Sequence, residues 1–147
     1  MIEGVRYAAP GDIARVVELA HAEHAASRWH ALPFDEAYAG RTAAAFIGTM
    51  GRTLLVTDGG FMAGMVQPLG FSPSLVALEY AWYAHDGSGL KLLRAFERWA
   101  ASVGARSVVV HSFLADPRIV RVLAQRRGYV TMGGAMAKDI LKEQAWQ

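Results

Sequence analysis

The chain has no cysteine among its 147 residues. That excludes a disulfide scaffold, a thiol nucleophile and Cys-type zinc sites, and it fits a reducing compartment. Charge of either sign is sparse, with 15 basic and 13 acidic residues leaving a formal net of +2. So small an excess does not argue for nucleic acid as a partner. No apolar run approaches the ~18 residues that a membrane span requires. The longest, Leu75 to Ala84, is interrupted by Glu79. The opening MIEGVRYAAPGDIARV lacks a basic stretch followed by an apolar one, so no secretory signal is expected and the chain reads as cytoplasmic. Two phosphate-binding fingerprints are also missing. Gly89-Leu90-Lys91-Leu92 lacks the Gly-Lys-Ser/Thr ending of a P-loop, and Leu92 stands where a Rossmann fingerprint needs its third glycine.

What is present is enough apolar material for one core. Apolar residues make up 53% of the chain, 26 of them alanine. That share excludes intrinsic disorder, and the length suits a single domain over 1–147. Val5 to Ala9 reads as a short strand stopped by Pro10-Gly11, with Asp12 placed to cap a helix through Ile13, Val16, Val17 and Ala20 to about Ser27. Asp35 opens a second helix that ends near Gly48. Thr53–Thr57 and Phe61–Val66 flank Asp58-Gly59, residues that tolerate the positive φ of a tight hairpin. A third long strand, Leu75–Ala84, runs into His85-Asp86-Gly87-Ser88-Gly89. A helix follows with Leu90, Leu93, Phe96 and Ala100 on one face. Ser107–His111 is an unbroken apolar run, as of a strand covered on both sides. Asp116-Pro117 starts a last helix, Gly128 stops it, and Tyr129–Ile140 is expected to form a final strand or hairpin. The order predicts one α/β domain with a mixed sheet.

The glycine turn after Ala84 carries the most chemistry. Unpaired amides at a helix start and the positive end of its dipole hold phosphate without a basic side chain, and glycines allow close approach. Here the chain resembles the Gcn5-related N-acetyltransferase superfamily. That family's acetyl-CoA loop reads [Gln/Arg]-x-x-Gly-x-[Gly/Ala], then x-x-Leu-Leu. Gly87-Ser88-Gly89, Leu90-Lys91 and Leu92-Leu93 match its second half. Val5–Ile13 is similar to the family's opening, Asp58-Gly59 to its second hairpin turn, and Arg127-Gly128-Tyr129 to the Gly-Phe/Tyr step before its last hairpin.

The resemblance implies a mostly antiparallel sheet flanked by helices, with a split between the fourth and fifth strands where acetyl-CoA lies. Backbone groups of Ala81, Trp82 and Tyr83 would meet the pantetheine arm. Amides of Gly87, Ser88, Gly89, Leu90 and Lys91 would hold the pyrophosphate. Acetyl would pass directly to an amine, of a small molecule or a protein. The segment between the first two helices resembles the acceptor-recognition region, which points to Glu23, Arg28, Trp29 and Phe34. Such domains often pair, so a homodimer is among the expectations. The sequence departs from the pattern in three places. Ala84 replaces the Gln/Arg, Asp86 sets an anion beside the phosphates, and Ala124 stands where the family often has a tyrosine that protonates the CoA thiolate. These departures favour an alternative, a degenerate domain that binds acyl-CoA or a protein partner without efficient catalysis.

Glu79 is a charge inside an apolar strand. Burial would raise its pKa and suit it as a general base, whereas a solvent-facing or ion-paired side chain would make it merely structural. His21 and His24 lie three apart near His30, but no third ligand stands at a recognisable spacing, so no metal is expected. Arg118, Arg121, Arg126 and Arg127 make the last helix basic, as solvated faces usually are.

Overall fold

A computed structural model describes residues 1–111, 116–133, 138 and 140. It divides into two compact units, Met1–Val110 and His111–Gln147. The first holds five strands, β1 (Arg6–Tyr7), β2 (Arg52–Thr57), β3 (Gly60–Leu69), β4 (Ser72–Ala84) and β5 (Ser107–Val109), with helices α1 (Ile13–Ala26), α2 (Glu36–Phe46) and α3 (Gly89–Ser102). Strand order follows chain order. Neighbours from β1 to β4 are antiparallel, and β5 joins β4 in parallel after the α3 crossover. The mixed, mostly antiparallel sheet expected from the sequence is the sheet observed. No described helix is long and apolar enough to cross a membrane.

Alternation sorts the sheet's side chains onto two cores. Leu54, Val56, Phe61 and Ala63 pack with Val16 and Leu19 of α1 and with Ala43 and Phe46 of α2. The intervening Leu55 and Met62 are fully buried, as are Leu92, Leu93 and Phe96 of α3. Leu90, expected on that buried stripe, is exposed; the stripe runs instead through Leu92, Leu93, Phe96 and Trp99. At Tyr80 the β3–β4 register slips. Gly64 pairs with Glu79 and Ala63 with Ala81, which leaves Tyr80 as an extra bulged residue. Tyr80 then meets Phe46, ring centroids 5.0 Å apart, and Ala81 packs on the same core.

Several local expectations are corrected. Asp12 does not cap α1 with its side chain; its carboxylate turns back to accept from the Ala9 amide at 2.8 Å and pairs with Arg6 at 2.7 Å. Asp35 does cap α2, accepting from the Tyr38 amide at 2.9 Å. The Asp58-Gly59 hairpin forms, yet neither residue has positive φ. Glycine is needed at 59 for space, because a Cβ there would stand 2.6 Å from Asp86 Cγ. Strand β5 is short and its valines are half-buried rather than covered on both faces.

In the second unit α4 (Pro117–Arg126) is capped by Asp116, which accepts from the Arg118 amide at 2.9 Å and pairs with the Arg118 guanidinium. Its end is closed by the Arg127 and Tyr129 amides, both donating to Leu123 O at 3.1 Å across Gly128, whose φ is +73°. Residues 129–133 form no strand. The remainder of the expected final hairpin, 134–137 and 139, lies outside the described residues.

Gly64 is the tightest point of the sheet, since a Cβ there would overlap the Phe96 ring and stand 2.9 Å from Leu78 O. Gly64→Ala is expected to destabilise the fold by about 2–3 kcal/mol through overpacking. Chemical denaturation measures this, and a midpoint equal to the parent's would contradict it.

Candidate functional site

The β4–β5 ladder has three registered pairs, Val76–Ser107, Ala77–Val108 and Leu78–Val109, and ends there. Strand β4 continues to Ala84 in register with β3, past the end of its ladder with β5. The first residue past the last pair is Glu79, 3% exposed, and the bulge at Tyr80 comes next.

Helix α1 brings a second carboxyl to this point. Val16, Leu19 and Glu23 recur at helical spacing on one stripe, and the first two are buried in the core. Glu23 thus extends the core-facing stripe with a half-buried acid. Burial, and then the negative charge of Glu79, push its carboxyl from 4.5 up to about 7. Glu23 therefore exchanges its proton near neutrality.

The remaining acceptor candidates are arranged differently. Phe34 stacks on His21, centroids 4.5 Å apart and 3° from parallel, and tilts against His24 at 5.3 Å. His21 and His24 lie on another face of α1 from the Glu23 stripe. His24 Nε2 contacts Leu32 O at 2.7 Å, and His30 Nδ1 contacts Ser27 O at 2.7 Å. All three histidines pin the α1–α2 connection. Among the described residues, no group of three or more His, Asp or Glu side chains is placed to hold a metal. Arg28 and Trp29 lie on an exposed 3₁₀ turn, Arg28–Ala31. Glu23 thus lies in the field of Glu79, while Phe34 packs on His21 and His24.

At its C-terminal end β4 turns into α3. Trp82 is buried and its Nε1 donates to Gly89 O at 3.2 Å, while Tyr83 packs on the α1 side. Gly87 takes φ +82°, which a side chain would resist. The first four amides of an α-helix have no acceptor within it. Here they belong to Ser88, Gly89, Leu90 and Lys91, since the Leu92 amide is the first to bond back, to Ser88 O at 3.1 Å. The Ser88 amide is taken by Asp86 Oδ1 at 3.0 Å, and Ser88 Oγ donates to the same oxygen at 2.5 Å. These bonds hold the Asp86 carboxyl below its usual range. Ser88 Oγ also lies 2.7 Å from Thr57 Oγ1, tying the turn to the β2–β3 hairpin. Nothing in the local pattern couples Glu23 to Glu79, because that depends on where α1 crosses the sheet.

Glu23 is raised in the folded state, so the fold binds its proton more tightly than the unfolded chain does. Stability should fall as pH rises from about 4.5 to about 7 and stay level above that. Glu23→Gln should raise Tm at pH 8 by about 2–4 °C, the equivalent of ~1 kcal/mol after allowance for partial exposure. At pH 4 it should change little. Thermal melts at the two pH values decide this, and equal melting at pH 8 contradicts it.

No family model and no curated protein matches the chain. Solved structures do. An acetyltransferase of Trypanosoma brucei superposes with a TM-score of 0.67 at 15% identity, covering 92% of this chain and 98% of that one. An aminoglycoside acetyltransferase from an uncultured soil metagenomic sample, solved with sisomicin, gives 0.66 at 13% identity over 92% and 95%. A transcriptional regulator of Bacillus halodurans C-125 gives 0.72 at 16% identity over 92% and 98%. With its strand order, parallel last strand and helix placement, the chain has the fold of the Gcn5-related N-acetyltransferases.

Proposed function

We propose that the chain transfers an acetyl group from acetyl-CoA directly to a primary amine, of a small molecule or of a protein. The observation that best supports this is the buried Glu79 at the first position where β4 loses β5, with Glu23 in its field. Acetyl-CoA supplies an activated acyl thioester. The backbone of Ala81, Trp82 and Tyr83, past the end of the β5 ladder, meets the pantetheine arm on this reading. The turn at Gly87, Ser88, Gly89, Leu90 and Lys91 offers amides to the pyrophosphate, three of them without an acceptor inside α3.

On this reading Glu79 accepts the amine's proton, directly or through water, as the C–N bond forms and the C–S bond breaks. Glu23 holds the cationic acceptor as it arrives, and Arg28, Trp29 and Phe34 belong to the acceptor side of the site. The departing thiolate takes its proton from water or another group, since Ala124 has none to give. On this reading residues 1–147 form one acetyltransferase-like domain in the cytoplasm, able to pair as a homodimer.

A second reading is a domain that binds acyl-CoA or a protein partner without efficient turnover. It is favoured by the Ser88 amide already being engaged by Asp86. A thiol-release assay with acetyl-CoA and a panel of amines separates the two. Amine-dependent release is expected, and its absence despite acetyl-CoA binding supports the second reading. Glu79→Gln should lower kcat/KM by roughly 10²-fold or more. Activity equal to the parent's removes Glu79 as base.

A further inference from the structure

Strands β3 and β4 run on together past the rest of the sheet. Among the described residues, β2 pairs with β3 only as far as Met65, and β5 pairs with β4 only from Val76 onward. Residues 67–75 beyond them form a two-stranded arm, with Pro68 opposite Leu75 and Leu69 opposite Ser72. Its tip is tied by the Ser74 amide, which donates to Ser72 Oγ at 3.2 Å. Two strands alone are marginal in water unless a face of the pair is covered. This arm leaves apolar side chains outside. Phe71 at the tip is 88% exposed and Leu69 38%, while Val66 and Leu75 are half-buried. At the root Met50 is 98% exposed, next to Gly51, whose carbonyl takes the Val66 amide at 2.8 Å.

The arm also carries no charge. From Gly59 to Leu78 the sequence has no Asp, Glu, Lys, Arg or His. Arg52 at the root is engaged on α2, where it donates to Ala45 O at 3.4 Å and lies over the Phe46 ring. Arg106, whose amide donates to Leu75 O at 2.9 Å, stands at the β5 border. An apolar exposed patch with charge only at its rim is the pattern of a protein interface. Charge also selects the occupant. An anionic membrane surface or a charged protein would be met by complementary charges, and the arm offers none. A second copy is a different case. About a two-fold axis the same surface faces itself, so a charged arm would repel its copy and an uncharged one does not. Proline then limits the mode of contact. Val66 turns its amide to the outer edge of β3, alternation turns Pro68 the same way, and Pro68 has no N–H to give. That edge resists the strand-on-strand pairing that would grow without closing. Contact is left to the side chains.

We propose that this arm is the face through which two copies of the chain pair about a two-fold axis, with Phe71 and Met50 of each packing on the arm of the other. This rests on the pairing in the proposed function and gives it a surface, and it does not depend on the transfer chemistry.

Sedimentation equilibrium of the full chain over a wide concentration range tests it. The parent should reach twice the 15.9 kDa chain mass and no more. Phe71→Glu sets two carboxylates against each other near the axis and should weaken the dimer roughly 100-fold or more, and Met50→Glu should act in the same direction. Phe71→Leu keeps an apolar side chain and should stay within about tenfold of the parent. Both positions are exposed, so the variants should keep the parent's circular dichroism, and if one glutamate variant does not, the other decides. A dimer that both glutamate variants leave intact overturns the arm as the surface while the pairing stands. A monomeric parent overturns both, and the transfer reading is still judged by its thiol-release assay. Open-ended growth beyond the dimer contradicts the closed two-fold contact. A monomeric parent that floats with phosphatidylcholine vesicles assigns the arm to a membrane surface and also overturns the proposal.

Discussion

The ladder between β4 and β5 ends at Leu78 and Val109 while β4 runs on to Ala84. That mismatch in strand length governs the chemistry available to the fold. A strand edge normally has to be covered, because its amides and carbonyls are costly to leave unpaired and invite other chains. Here the ladder ends at a buried acid, Glu79. The bulge at Tyr80 turns the strand at the same place and sends Tyr80 and Ala81 onto one core.

The two ends of this stretch differ in charge. At one end burial and the negative charge of Glu79 raise the Glu23 carboxyl to about 7. At the other, the start of α3 offers amides and a positive dipole end, partly answered by Asp86. On the proposed function, a donor carrying phosphates and an acceptor carrying positive charge approach from opposite ends. The glycines at 59 and 64 serve this layout through close packing, against Asp86 and against Phe96, rather than through backbone freedom.

Much of the architecture was legible in the sequence. The β2–β3 hairpin, the long strand with Glu79 inside it and the glycine turn into a strongly amphipathic helix are all local signals, set by side-chain periodicity and turn chemistry. So was the Asp35 cap. Other features depend on tertiary geometry. Asp12 had the position of a cap, but Arg6 draws its carboxylate backward. The buried stripe of α3 lies about a turn's fraction from the one that Leu90 suggested, because Trp82 and Phe96 fix how that helix seats on the sheet. The bulge is invisible to periodicity, and with it the reason that Tyr80 and Ala81 share a side. Glu23 was legible as an acid near aromatics. The field it meets is that of another acid, Glu79, while His21 and His24 hold Phe34.

Backbone amide NMR during titration with coenzyme A shows whether one ligand meets the end of β4 and the start of α3 together. The largest shift changes are expected at Ala81–Tyr83 and at Gly89–Lys91, saturating with a single dissociation constant. Saturable binding that leaves both segments unmoved, or that moves only residues of the α1–α2 connection, would contradict it.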